Sequence, residues 1–270
     1  MTSASVFAVA GGQAAVYSHR CPGKVSPCED VAAIIPLGRK SCVFAVADGM
    51  GGHDAGEVAS RLAVAEVIRS VVAVKRRKLK PRIGIIDGFE NANTAVHALD
   101  VDAGTTLAAL EVRGDTVRSY HTGDTIVLVI NESGLLKMET VSHSPVGYGL
   151  AAGLLTGDEA MDHEDRHLIY NAVGSQLMTV EVGTPIQIAP DDTVLLASDG
   201  LTDNVTLEET LEIARAHPVE EATNQLATLA RQRMEEGLGG PSKPDDIAIM
   251  LFRRVGKTKT AKAANGAVAP

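Results

Sequence analysis

The apolar positions of this chain change period several times, and each change marks an element. Residues 5–18 (SVFAVAGGQAAVYS) predict a strand pair or a kinked edge strand, closed by the turn chemistry of CPGKVSP. Glu29 and Asp30 precede a short apolar run over 31–35, and a second run, 42–47, stops at Asp48, Gly49, Met50, Gly51, Gly52 and His53. Runs this tight are buried strand or a short piece of core. From Glu57 to Lys78 the period becomes helical, with Val58, Leu62, Ala65, Ile68 and Val72 on one face. Its basic end (Lys75, Arg76, Arg77, Lys78, Lys80, Arg82) complements a helix dipole, with a docking patch for an acidic partner as the rival reading. A second helix is expected over 88–99.

Alternation returns over 104–140 and predicts a meander of strands at 106–112, 116–121, 125–130 and 135–140, with turns at Gly114-Asp115 and Ser133-Gly134. Residues 142–157, rich in Gly, Ser and His, read as a mobile surface loop of the kind that flanks a site. A helix over 157–170 and strands over 179–182 and 185–189 follow. The apolar strand 193–197 ends in Ser198-Asp199-Gly200, repeating the grammar of Asp48-Gly49. Helices are expected over 207–216 and 219–236, a loop over 237–244, and a last strand over 247–252 behind Asp245-Asp246. Residues 1–254 thus read as one domain, and 255–270, basic and without apolar period, as a disordered tail.

Composition removes several function classes. A formal charge of −9 argues against a general affinity for nucleic acid and suits a cation binder. The 3 cysteines, Cys21, Cys28 and Cys42, have no CxxC spacing, so a disulfide framework or zinc site is not indicated, and a cytoplasmic location is expected. The apolar start lacks a charged flank, and no apolar stretch is long enough to span a bilayer.

Chemistry enters with the carboxylates. Glu29-Asp30, Asp48, Asp124, Asp199 and Asp245-Asp246 all flank apolar strands, and strands ending at one rim of a sheet would gather them. Each is also an ordinary turn residue taken alone, and for Asp124 the turn and ligand readings stay open. Gathered, they require cations, because like charges raise one another's pKa. An all-oxygen set points to hard ions, Mg²⁺ or Mn²⁺, and two such ions suit the hydrolysis of a phosphate monoester. No Walker loop, nucleophile elbow or HExxH is present.

The motifs ADGMGGHDAGEVAS (47–60), DAGTTLAAL (102–110), HTGDT (121–125), LLASDGLTDNV (195–205) and DDIAIM (245–250) occur in an order that resembles the bacterial branch of the protein phosphatase 2C family. SHS (142–144), GLLTGDEAMDH (153–163) and NAVG (171–174) resemble weaker segments between them. The resemblance implies an α+β fold, a four-layer α-β-β-α sandwich of two mainly antiparallel sheets flanked by helices. It implies a metal-dependent Ser/Thr protein phosphatase acting on phosphorylated proteins and opposing a Ser/Thr kinase. It further implies that Asp48 bridges two ions, that the Gly49 carbonyl binds with it, and that Asp199 and Asp245 hold one ion. Glu29 holds the other, directly or through water, and Asp124 sits where relatives recruit a third. His53 falls at the motif histidine, a general acid toward the leaving alkoxide or the cap of a turn.

Three departures from the family pattern stand out. Relatives carry an Arg shortly before the Glu-Asp pair, where GKVSPCED (23–30) places Val25 and Ser26, leaving Lys24 or Arg20 to bind the substrate phosphate. Lys is a point charge without the guanidinium fork. Asp246 occupies a position usually Asn, and GDTI (123–126) carries Ile126 where relatives have Arg. The missing Arg motivates the alternative of a catalytically weak phosphoprotein-binding regulatory module with the same fold.

Overall fold

A computed structural model describes residues 3–51, 55–99, 101–237 and 240–254. The elements run β1 (Ser5–Val9), β2 (Gly12–His19), β3 (Asp30–Gly38), β4 (Ser41–Gly51), α1 (Ala55–Arg76), α2 (Pro81–His97), β5 (Ala103–Thr105), β6 (Leu107–Arg113), β7 (Thr116–Thr122) and β8 (Ile126–Ile130). They continue with β9 (Leu136–Glu139), α3 (Pro145–Ala151), α4 (Gly157–Met161), β10 (Glu181–Val182), β11 (Ile186–Gln187), β12 (Thr193–Ala197), α5 (Asp199–Thr202), α6 (Leu207–Ala216), α7 (Val219–Glu236) and β13 (Ile247–Arg254).

One sheet has the order β1-β2-β13-β12-β8-β9, and the other β10-β7-β6-β4-β3, with β11 beside β7 and β5 beside β4. Every named pairing is antiparallel. Strand alternation divides the core into layers. On β13, Ala248, Met250 and Phe252 point between the sheets, where Phe44 and Phe252 meet at 5.2 Å, while Ile247, Ile249 and Leu251 pack on the α7 side. On β4, Cys42, Phe44 and Val46 face the other sheet, and Val43 and Ala47 face α1 and α2. The result is the expected four-layer sandwich.

Several elements differ from their sequence expectation. The meander is split: β6–β7 is a hairpin of one sheet and β8–β9 a hairpin of the other, so residues 123–125 cross between sheets. The second helix starts at Pro81 rather than at 88, because Pro at the first helical position needs no N–H partner. The basic run 75–82 therefore covers a helix end, a turn and a helix start. Residues 145–151 are not loop but helix, capped by Ser144 Oγ, which accepts the Gly147 N–H at 2.9 Å. The helix expected over 157–170 ends at Met161, where the Arg166 guanidinium donates to the Met161 carbonyl and His163 Nδ1 accepts the Asp165 N–H at 3.1 Å. The tail 255–270 and His53 lie outside the described residues.

Candidate metal centre

β4 does not stop at Asp48. Gly49, Met50 and Gly51 continue it and pair with Thr105, Gly104 and Ala103 of β5. The Asp48 backbone is held from three directions: its carbonyl accepts Thr106 N at 2.8 Å and Thr105 Oγ1 at 2.7 Å, and its N–H donates to Thr106 Oγ1 at 3.2 Å. The threonines of DAGTT thus fix the backbone of the acid. The glycines act by close approach. A Cβ on Gly49 would lie 2.1 Å from the Gly56 carbonyl oxygen, and one on Gly56 would lie 2.4 Å from Glu29 Oε1, so the start of α1 seats directly on the acidic rim.

Asp30 stands directly opposite Asp48 across the β3–β4 ladder. Two like charges in that position destabilise a sheet unless something compensates them. Asp30 is buried, and its Oδ2 accepts the Ser198 hydroxyl at 2.5 Å while Ser198 Oγ itself accepts Ala248 N at 2.9 Å. Ser198, between β12 and α5, therefore ties both sheets to the acid and sets Asp199 beside it. Asp30 Oδ1 has no hydrogen-bond partner among the described residues.

Burial, followed by the charges of Asp30, Asp199, Asp124 and Asp245, pushes the Asp48 carboxyl far above the usual carboxylate range. Burial and then Asp199, Asp246 and Asp245 do the same to Asp30, against the Ser198 hydrogen bond. Asp124, in the crossing between sheets, is raised to about 7 by burial first and by Asp199, and its buried Oδ1 likewise has no partner among the described residues. Asp245 is raised to about 6 by burial and Asp199. Crowded carboxylate oxygens that no donor satisfies are what a hard cation fits, and the donor set is all oxygen.

Two ammonium groups border the cluster. Asp246 is buried; its Oδ1 accepts Cys21 N at 2.7 Å, and its Oδ2 accepts Glu29 N at 2.6 Å and Lys24 Nζ at 2.7 Å. Lys24 Nζ also meets Glu29 Oε2 at 2.5 Å. The carboxylate at this unusual position thus fastens the loop 21–29 and aims Lys24 at the rim. Arg20 is exposed and donates to the Val25 carbonyl at 3.1 Å. Lys243 Nζ contacts Asp199 and Asp203 at 2.7 Å each.

Sequence reading gathered Asp30 with the other strand-end carboxylates but gave it no ligand role, and it left Ser198, Asp203 and Lys243 outside the candidate set. Asp203 had a signal, since it follows Asp199 by one helical turn. For Asp30 only the strand register places it against Asp48.

His121, His143 and Glu181 form a separate cluster within 4.8 Å. His143 Nδ1 accepts Gly123 N at 3.1 Å and the Asn171 amide at 2.9 Å, so its proton sits on Nε2, toward Glu181 at 3.4 Å. His143 N also donates to the Gly123 carbonyl at 3.0 Å, so this residue braces the crossing that presents Asp124.

The model of protein phosphatase 2C matches residues 17–239. The chain belongs to the protein phosphatase 2C family. Protein phosphatase PhpP of Streptococcus pneumoniae is 31% identical over 193 residues, 68% of this chain and 78% of that protein. Serine/threonine protein phosphatase PstP of Mycobacterium tuberculosis is 30% identical over 216 residues, 77% of this chain and 40% of that longer protein. A crystal structure of the PstP catalytic domain in complex with 2 manganese ions superposes with a TM-score of 0.68 at 26% identity, covering 90% of this chain and 98% of that one. The expected class, a metal-dependent Ser/Thr protein phosphatase, is the class of this 2C chain, and metal dependence is characteristic of the family.

Proposed function

We propose that this chain hydrolyses phosphoserine and phosphothreonine in proteins with two divalent cations, Mg²⁺ or Mn²⁺, seated in the carboxylate cluster. The observation that carries the reading is the convergence of buried carboxylates, with one oxygen each on Asp30 and Asp124 that no donor among the described residues satisfies. Asp48, the Gly49 carbonyl and Glu29, directly or through water, would hold one ion and Asp48 with Asp199 and Asp245 the other, while Asp124 is placed to recruit a further ion beside these two; Asp30 supports the set through Ser198. When bound, such ions lower the pKa of a water and neutralise the phosphoryl oxygens.

The remaining work falls to the chain's own groups. Asp246 holds the loop that carries Glu29 and Lys24, and Lys24 meets the substrate phosphate as a point charge. Burial opposes its charge, but Asp246 and Glu29 hold its pKa above the ordinary value, so it stays protonated. His53 donates a proton to the leaving alkoxide. The substrate is the product of a Ser/Thr kinase, and among the described residues no helix is long and apolar enough to cross a membrane. The complete acidic set favours turnover over the weak regulatory module. Hydrolysis of a phosphothreonine peptide with Mn²⁺, with Asp199→Ala as control, tests this; turnover no higher than the control refutes it.

A further inference from the structure

Lys243 is seated among three carboxylates, two of which, Asp199 and Asp245, are candidate ligands. Its Nζ lies 2.7 Å from Asp199 Oδ2, 2.7 Å from Asp203 Oδ2 and 3.5 Å from Asp245 Oδ2. The backbone that delivers it is fastened on both sides by one buried amide: Asn204 Oδ1 accepts Lys243 N at 2.8 Å, and Asn204 Nδ2 donates to the Lys243 carbonyl at 2.8 Å and to the Gly200 carbonyl at 3.0 Å. Pro244 follows and favours an extended Lys243.

We propose that Lys243 is an internal counter-cation that competes with a divalent ion for Asp199 and Asp245 and so sets the metal affinity of that half of the centre. An ammonium on Asp199 Oδ2 stands beside any metal ion that the same carboxylate would hold, and two cations that close repel each other. Asp203 supplies the second half of the device: once Asp199 and Asp245 turn to a metal, the ammonium keeps Asp203 as its partner. The chain thus carries its own cation for the acidic cluster, at the cost of weaker divalent binding. This inference rests on the metal reading above.

The test is calorimetric titration of Mn²⁺ into the metal-stripped full chain, comparing wild type with Lys243→Gln, Lys243→Met and Lys243→Arg. Loss of the charge in Gln and Met should tighten Mn²⁺ binding by on the order of tenfold, about 1.4 kcal/mol. Their melting temperature in chelator should also fall. Lys243→Arg, which keeps the charge, should stay near wild type. A merely structural role predicts weaker metal binding in every variant, so unchanged or weaker affinity in both Gln and Met overturns the proposal. If the wild type binds no Mn²⁺, it is the metal reading itself that falls.

Discussion

Removing divalent ions should make stability fall as pH rises through neutrality. In the metal-free fold Asp124 is pushed from its ordinary 3.8 up to about 7, by burial first and then by Asp199. Between those values the folded chain keeps a proton that the unfolded chain has released, so rising pH favours unfolding. From about pH 5.5 to about 7.5 this one group costs about 2 kcal/mol, or roughly 4–8 °C in melting temperature for a chain of this size. Asp30 and Asp48 act in the same direction. Asp245, raised to about 6, adds less because its side chain is 37% exposed and screened by water. Buried His121 works with the opposite sign, since burial lowers its pKa and charging it at low pH destabilises the fold. Glu209, held at about 2 by Arg233, loses its contribution only at lower pH. The measurement is therefore a difference. Urea unfolding is followed by far-ultraviolet circular dichroism, since the chain has 0 Trp, at both pH values with chelator and with saturating Mn²⁺. His121 contributes to both arms and cancels. A metal-free chain whose stability, relative to the Mn²⁺ arm, is the same at both pH values would refute the reasoning.

Two further outcomes follow from contacts around the centre. Ser198→Ala removes the hydroxyl that donates to Asp30 and accepts Ala248 N, both within the buried core, and should cost about 2–4 kcal/mol in urea unfolding; an unchanged midpoint would show that water replaces it. Gly49→Ala places a Cβ 2.1 Å from the Gly56 carbonyl oxygen, and should cost about 1–3 kcal/mol and weaken Mn²⁺ binding measured by calorimetry, because α1 must back away from the rim. Retained Mn²⁺ affinity in that variant would separate Gly49 from the centre.

Part of this architecture was legible before any coordinates. Helices α6 and α7 match their periodicity at both ends, and α6 carries a capping box in which Thr206 accepts Glu209 N at 3.3 Å. Strand β12 and the Asp-Gly pairs at Asp48 and Asp199 were equally plain, because an apolar run that ends in a carboxylate has few structural uses. The short helix α3 was hidden by its glycines, and the early start of α2 by the basic run before it.

The deeper misses share one cause. Periodicity reports which face of an element is buried, and says nothing about the neighbour that buries it. The alternation of β7 and β8 is the same whether they pair or lie in different sheets, and only packing separates them at residues 123–125, where Asp124 is presented. Asp30 reads as one of many acids until the β3–β4 register sets it against Asp48. Lys243 is an ordinary lysine in the chain until the fold brings it to Asp199 and Asp203, about 40 residues away, and Lys24, singled out only as a cation near the Glu-Asp pair, is brought to Asp246, more than 200 residues away. The sequence by itself determined the kind of chemistry, since oxygen ligands and strand-end carboxylates are local features. Tertiary structure alone decided which charges face one another, because that depends on strand register and loop closure across the whole chain.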